Sequence, residues 1–408
     1  MKSHRSKFRS AILLLGLIVS AALILQYAPI MQRVYALATL ADADKIARNF
    51  MSIGERVPVN LIAPSSTPYR FAESSQTIEL PASFVSQQIT NSTEEFLQQT
   101  GSTGMLILRD GKTVYERYWQ GMQANTTHIS FSIAKSFTSA LIGIAIDDQL
   151  IGSVDDPVVK YLPELENSGY ANATLADCLE MSGGILFNED YGDKKSDINR
   201  FQKNYAMGGV MSEFISKLTS QREPGEFNQY NSMDAQVAGM VLRAAIGEQS
   251  LADYMQEKLW QPLGAQDEAQ WLIDSAGMEL ALGGLNVTLR DYAKFGQLFL
   301  QNGQWDKQQI ISADWVKQST EPHAPHLMPG DDNPLSSQAF GYAYFWWIPI
   351  EPYGNDFFAS GIYNQYIYIN PEKSLVIVKT SANPHFTQDV LGSKMAYVDL
   401  FQTIAKGL

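Results

Sequence analysis

The sequence predicts an α+β fold in which an antiparallel sheet is flanked by helices and carries an inserted, mainly helical lobe. Two candidate strands, at residues 105–108 and 113–118, flank Asp110-Gly111, a pair that favours a tight hairpin because both turn positions accept positive φ. Residues 150–320 show mainly helical periodicity, with long loops between the helices. Four short candidate strands follow between residues 341 and 379, the last two joined by a turn at 370–373. The sheet is therefore expected to be completed by distant segments of the chain.

Residues 1–40 predict a membrane anchor or signal segment. Four basic residues between positions 2 and 9 precede an uncharged run from Ala11 to Ala28. As a helix this run is roughly 27 Å long, enough to cross a bilayer. The basic flank is expected to stay inside and send the remainder of the chain across. Ala36-Leu37-Ala38 has the form of a cleavage site but lies well beyond the apolar run, so an uncleaved anchor is favoured over a cleaved, exported chain.

Residues 41–95 read as an N-terminal extension, and residues 96–408 as one domain. The extension starts with a short helical stretch, ADADKIARNFM, and continues in a connector rich in proline and serine. After the hairpin, a helix is predicted to begin near Ser132, with Ile133 and Phe137 on its apolar face. A closing helix is expected from about residue 390 to residue 405.

Composition argues against several kinds of site and partner. The formal net charge is −13, and the charged residues of positions 1–40 are all basic, so the remaining chain is more acidic still. Such a balance disfavours nucleic acid or an anionic lipid surface as the main partner. The single cysteine, Cys178, excludes an intrachain disulfide and a multi-cysteine metal site. His323 and His326 lack further ligands nearby, so a surface loop is the favoured interpretation. No metal and no cofactor are expected.

The stretch FSIAKSFTSA places Ser132 and Lys135 three residues apart at the start of an apolar helix. Residues with this spacing share a helix face, so the lysine amine can lie beside the serine hydroxyl. A serine needs a base before it can act as a nucleophile, and lysine serves only when neutral. Its pKa must then fall by roughly three units, which burial and positive potential at a helix N-terminus can supply. Alone, the S-x-x-K pattern is weak, because a helix start with an exposed lysine is equally common.

Further segments make the pattern specific. They are DDPVVKYLPEL (155–165), ATLADCLEMSGGILFNEDYGD (173–193), PGEFNQYNS (224–232), GGLNVTLRDYAKFGQLFLQNGQW (283–305) and FFASGIYNQYIYINP (357–371). Together with the S-x-x-K helix, and in this order, they resemble the serine β-lactamase and penicillin-binding-protein superfamily over roughly residues 96–405. The greatest similarity is to its class C-like branch, with 6-aminohexanoate-dimer (nylon-oligomer) hydrolases and family VIII esterases. The resemblance implies a β-lactamase/transpeptidase-like fold.

The resemblance also implies roles for individual residues. Ser132 would be the acylated nucleophile, Lys135 its base partner, and Tyr230 the group that helps to pass the proton to the leaving group. The backbone N–H groups of Ser132 and Ile362 would hold the oxyanion. Substrate-binding candidates are Tyr191, which could contact an amide leaving group, and Ser232, Ser360 and Gly361.

Two positions depart from the family pattern. The usual asparagine of the Y-x-N element is Ser232, whose reach is shorter. The third motif, which usually begins with lysine or histidine, reads Ala359-Ser360-Gly361 and so lacks the cation that would meet a β-lactam carboxylate. The resemblance therefore favours linear amides or esters, because nylon-oligomer hydrolases share the A-S-G pattern. The expected location is the bacterial inner membrane, with one N-terminal anchor and the catalytic domain in the periplasm or outside.

Two other functions remain open, and a third is disfavoured. The first is a DD-peptidase or β-lactamase-type enzyme acting on cell-wall peptides or β-lactams. The second is a binding or sensor module that keeps the fold without catalysis, although such a protein would be expected to have lost Lys135 or Tyr230. A Ser-His-Asp hydrolase is disfavoured, because no G-x-S-x-G motif is found and His128, close to Ser132 in sequence, is interpreted as structural.

Overall fold

The computed structural model describes residues 27–408. Its α-helices are residues 27–38 (α1), Ile46–Met51 (α2), Thr93–Gln99 (α3), Ile133–Asp147 (α4), Leu175–Leu179 (α5), Asp197–Ala206 (α6), Met211–Ile215 (α7), Ser232–Ala245 (α8), Leu251–Met255 (α9), Leu289–Leu300 (α10), Ala313–Thr320 (α11) and Val390–Lys406 (α12). The strands before α4 are Val59–Ile62 (β1), Ala72–Glu73 (β2), Ser83–Ser86 (β3), Ile89–Ser92 (β4), Ser102–Arg109 (β5), Lys112–Tyr118 (β6) and Thr127–Ile129 (β7). Those after it are Ala269–Leu272 (β8), Leu285–Thr288 (β9), Gln304–Trp305 (β10), Gln308–Gln309 (β11), Gly341–Ala343 (β12), Trp346–Ile348 (β13), Phe357–Gly361 (β14), Gln365–Asn370 (β15) and Leu375–Ser381 (β16).

The main sheet has eight strands in the order β12-β13-β14-β15-β16-β5-β6-β2. Its pairs are antiparallel except that β2 runs parallel to β6. At its centre β16 pairs with β5, so that Ile377 faces Ile107. The expected sheet built from both ends of the domain is therefore confirmed, with helices against it and the mainly helical segment 133–268 inserted between β7 and β8.

A second, four-stranded antiparallel sheet has the order β1-β8-β9-β7. Its first strand comes from the N-terminal extension, which also supplies β2 to the main sheet. The extension is therefore paired into both sheets. The strand β7 ends three residues before Ser132, so this second sheet positions the start of α4.

One predicted strand differs in the structure. Residues 341–347 form two strands, β12 and β13, joined by a turn at Tyr344-Phe345. Phe345 has a φ of +69°, which a continuous strand does not allow. Its N–H donates to the carbonyl of Leu179 and its carbonyl accepts from Ser136 Oγ. These contacts with distant residues hold the turn, and no local sequence signal indicates them.

The helix α4 lies in the centre of the molecule rather than at its surface. Residues Ile133 to Ala145 are all buried, including its polar side chains. The ring of Phe137 stacks on Phe295 of α10, with centroids 3.7 Å apart. The sequence predicted that only one face of α4 is buried, but the protein covers this helix on several sides. Burial of its first turn determines the environment of Lys135.

Within residues 27–408, no helix is both long enough and apolar enough to cross a bilayer. The apolar run that predicts the anchor lies outside these residues, apart from Tyr27 and Ala28. The helix α1 packs on the domain: Arg33 Nε donates to the carbonyl of Ala206, and its guanidinium lies over the ring of Tyr205.

Candidate active site

Ser132 lies at the N-cap of α4, directly after a sharp turn. Phe131 has a φ of +46°, in the left-handed region that side chains disfavour. Its ring packs against Phe50 and Tyr363, with centroids 4.9 and 5.2 Å away. This packing holds the turn, which places Ser132 at the wall of a cavity with 9% of its surface exposed.

Lys135 is buried beside Ser132. Its Nζ lies 2.8 Å from Ser132 Oγ and donates to the carbonyl of Leu282 at 2.6 Å. Burial lowers the pKa of Lys135 to about 7, while the nearby carboxylate of Glu189 acts in the opposite direction. At neutral pH a large fraction of the amine is therefore uncharged and able to accept a proton from Ser132.

The strand β14 ends against the turn that carries Ser132. A β-carbon at Gly361 would lie 2.4 Å from the carbonyl oxygen of Ser130, so only glycine allows this approach. Ile362 follows and lines the cavity together with Ser132. Within residues 27–408, neither the N–H of Ser132 nor that of Ile362 has a hydrogen-bond acceptor. Two free N–H groups at one cavity can receive an oxyanion.

Tyr230 lies in the segment before α8. Its ring stacks on Trp347 at 5.4 Å and lies 5.2 Å from Lys135 Nζ. Burial and the charge of Glu189 raise the pKa of Tyr230, whereas interactions with the hydroxyls of Ser132 and Ser232 lower it. The phenol therefore stays protonated at neutral pH and is a proton donor.

Glu189 links two of the residues predicted to bind substrate. Tyr191 donates its hydroxyl to Glu189 Oε1 at 2.7 Å. Ser232 donates its hydroxyl to Oε1 at 2.5 Å and its N–H to Oε2 at 3.0 Å. Tyr191 lines the cavity, whereas Ser232 is fully buried and its polar groups are engaged by Glu189. A direct contact of Ser232 with substrate, as the sequence suggested, therefore has no support in this geometry.

The cavity around Ser132 has two arms, which share Ser132, Tyr191, Ile362 and Thr387. The polar arm, of about 250 Å³, is also lined by Glu189, Tyr230, Trp347, Ser360, Gly361 and Lys394. The apolar arm, of about 240 Å³, is also lined by Leu37, Leu40, Phe131, Phe201, Leu282 and Tyr363. Of the sequence-predicted site residues, all but Lys135 and Ser232 line the polar arm, and Lys135 lies behind Ser132.

Sequence reasoning missed Glu189 and Lys394. Glu189 lies in the quoted NEDYGD loop, but nothing in that pattern distinguishes it from its acidic neighbours. Lys394 lies on α12, remote in sequence from every motif. His128 is fully buried outside both arms, and burial lowers its pKa to about 4. His323 and His326 bind the two oxygens of Glu180, at 2.9 and 3.1 Å.

Comparisons with known proteins agree with this architecture. The chain is 28% identical over 303 residues to a 6-aminohexanoate-dimer hydrolase from Paenarthrobacter ureafaciens. The matched region covers 71% of this chain and 75% of that protein. A putative 6-aminohexanoate-dimer hydrolase from Bacillus anthracis superposes with a TM-score of 0.78 at 24% identity, covering 90% of this chain and 95% of the other. A family VIII carboxylesterase superposes with a TM-score of 0.53 at 16% identity, covering 75% and 96%.

The resemblance inferred from the motifs is therefore confirmed, and so is the expectation that the protein is an enzyme. The family model named Beta-lactamase matches residues 89–399. The chain belongs to the Beta-lactamase family and is a hydrolase related to 6-aminohexanoate-dimer hydrolases and esterases.

Proposed function

We propose that this protein is a serine hydrolase that forms an acyl-enzyme on Ser132 and acts on linear amides or esters. One observation carries the proposal: Lys135 Nζ lies 2.8 Å from Ser132 Oγ and has a pKa lowered to about 7 by burial. A neutral amine at hydrogen-bond distance from a serine in a cavity is the arrangement that nucleophilic catalysis needs.

In the proposed acylation, Lys135 takes the proton of Ser132 as Oγ bonds to the substrate carbonyl carbon. The N–H groups of Ser132 and Ile362 hold the negative oxygen of the tetrahedral intermediate. When the carbon–nitrogen or carbon–oxygen bond breaks, Tyr230 gives its proton to the leaving group and regains one from Lys135. Water then attacks the Ser132 ester, releasing a carboxylic acid and restoring the hydroxyl.

The two arms of the cavity support a linear substrate. Both open on Ser132, so the chains on either side of a scissile carbonyl can extend in different directions. Tyr230 lines the polar arm and not the apolar arm, so the leaving group belongs in the polar arm and the acyl chain in the apolar one. The names of the related proteins, a 6-aminohexanoate-dimer hydrolase and a carboxylesterase, agree with amide and ester substrates.

Labelling with a fluorophosphonate, which reacts with activated serines, tests the proposal. We expect one adduct per chain, located by mass spectrometry in the peptide containing Ser132 and absent from Ser132→Ala. Ser136→Ala is the matched control. Ser136 lies one helical turn after Ser132, and its hydroxyl donates to the carbonyl of Phe345, so labelling should persist in this variant. Turnover of p-nitrophenyl butyrate should be lost with the label. A folded protein that takes no label and cleaves no ester would refute the proposal.

We also propose that the full chain is anchored in a membrane and that its catalytic domain faces the periplasm or the exterior. The basic flank followed by an apolar run in residues 2–28 supports this. In a bacterial host, the full chain should sediment with membranes and resist extraction by high salt and alkali, yet dissolve in detergent. Recovery in the soluble fraction after salt washing would contradict it.

A further inference from the structure

We infer that Lys394 binds a carboxylate on the leaving-group portion of the substrate. This inference rests on the proposed function, because it assigns the polar arm to the leaving group. It goes beyond the hydrolase chemistry by naming an anionic class of substrate and the residue that selects it.

Lys394 reaches the cavity from α12. Val390 and Lys394 are four residues apart, so they lie on the same face of this helix, and both line the polar arm. Lys394 Nζ lies 3.5 Å from the ring centroid of Trp347 and 5.5 Å from that of Phe340. Contact of a cation with aromatic faces fixes the position of the ammonium group. Trp347 in turn stacks on Tyr230, so the ammonium and the proton donor contact the same ring.

The ammonium of Lys394 has no anionic partner in the protein. Within residues 27–408 it forms no salt bridge and no side-chain hydrogen bond, and its contacts are with aromatic rings. Glu189 lines the same arm, but both its oxygens bind Ser232, and one also accepts from Tyr191. Burial lowers the pKa of Lys394 to about 7, and no neighbouring charge opposes this effect. A part-buried amine without a counter-ion, held over aromatic rings at the cavity wall, favours binding of an anion that restores its charge.

Lys394 can replace the cation that the third motif lacks. Ala359 occupies the usual position of that cation, and the following Ser360 and Gly361 line the polar arm. Lys394 lines the same arm from α12. A single ammonium on aromatic faces suits a monovalent carboxylate, to which it can donate charge-assisted hydrogen bonds.

Two butyrate esters of matched shape test the inference. One has 3-hydroxy-4-nitrobenzoate as leaving group, with a free carboxylate, and the other has the methyl ester of the same phenol. Lys394→Gln should lower kcat/KM for the carboxylate ester by about 10- to 100-fold, the range expected for loss of a hydrogen bond to a charged group. It should change kcat/KM for the methyl ester by less than about twofold, and Lys394→Arg should retain most of the preference.

Lys406→Gln is the matched control, because this lysine lies on the same helix over the ring of Tyr353, outside both arms. It should leave both esters unaffected. Equal losses for the two esters in Lys394→Gln, or no loss for either, would overturn the inference while the wild-type turnover keeps the hydrolase proposal standing. If the variant instead discriminates between p-nitrophenyl hemiglutarate and its methyl ester, the assignment to the leaving-group side is wrong. No turnover of any ester by the wild type would instead refute the proposed function.

Discussion

Replacing Lys135 by methionine is expected to lower kcat/KM for p-nitrophenyl butyrate by about 10³-fold, within the range for loss of a general base. Methionine keeps a long apolar side chain in the buried site but cannot accept the proton of Ser132. The contact between Nζ and Oγ at 2.8 Å is lost, so the hydroxyl remains a weak nucleophile. Steady-state rates over a range of substrate concentrations measure the loss, and a thermal melt confirms that the variant is folded.

The pH dependence of the wild type gives an independent measure of the same group. Because the base must be neutral, kcat/KM should fall as pH drops below about 7, the pKa to which burial lowers Lys135. Above that pH the profile should be flat rather than continue to rise toward the ordinary lysine pKa of about 10.4. A profile that still rises at pH 9, or a Lys135→Met variant with wild-type rates, would show that another group is the base.

Lys394 provides the control for this profile, since its pKa is also lowered to about 7. With a neutral ester, Lys394→Gln should keep the acid limb, because Lys394 is not expected to take part in proton transfer. Disappearance of the limb in that variant would assign the titration to Lys394 instead of Lys135.

The largest expected effect on stability comes from Lys294→Ala. Lys294 and Asp291 form an ion pair at 2.7 Å, and each side chain is 1% exposed. Lys294 also donates to the carbonyl of Gly264, while Asp291 accepts from the N–H groups of Gln266 and Asp267. Removing the lysine leaves a buried carboxylate without its cation, which should lower the free energy of unfolding by about 3–5 kcal/mol. Urea denaturation followed by tryptophan fluorescence measures it.

Lys160→Ala is the comparison for that experiment. Lys160 pairs with Asp156 at 2.8 Å, but its side chain is 52% exposed. Water solvates both partners after the substitution, so the denaturation midpoint should stay close to that of the wild type. Equal denaturation midpoints for Lys294→Ala and Lys160→Ala would show that the buried ion pair of Lys294 does not stabilise the fold more than the exposed one of Lys160.

The parts of the site that sequence could predict are local in the chain. Ser132 and Lys135 are three residues apart on a helix, so their proximity follows from helix geometry. The hairpin at Asp110-Gly111 follows from turn chemistry in the same way, and β5 and β6 flank it as expected. The places of Tyr230 and Ile362 in the site were predicted from the family resemblance, because no spacing rule connects them to Ser132.

The remaining features depend on contacts between distant segments. Lys394 on α12 lies over Trp347 on β13 although they are far apart in the chain, and neither residue belongs to a pattern that would reveal the pair. The turn at Phe345 is held by Ser136 and Leu179, whereas its own sequence reads as a strand. Glu189 differs from Asp190 because Tyr191 and Ser232 donate hydrogen bonds to it, and Ser232 is brought there only by the fold.

Leu37 and Leu40 line the apolar arm, so cleavage of the chain near these residues would change the shape of the cleft. Ala36-Leu37-Ala38, which has the form of a cleavage site, is helical here, and Ala36 is only 1% exposed. A peptidase would therefore have to cut before the domain folds. Cutting after Ala38 would remove Leu37 and place a new terminal ammonium group beside the apolar arm. The apolar arm of the processed chain would then have a shorter and more polar wall than that of the unprocessed chain.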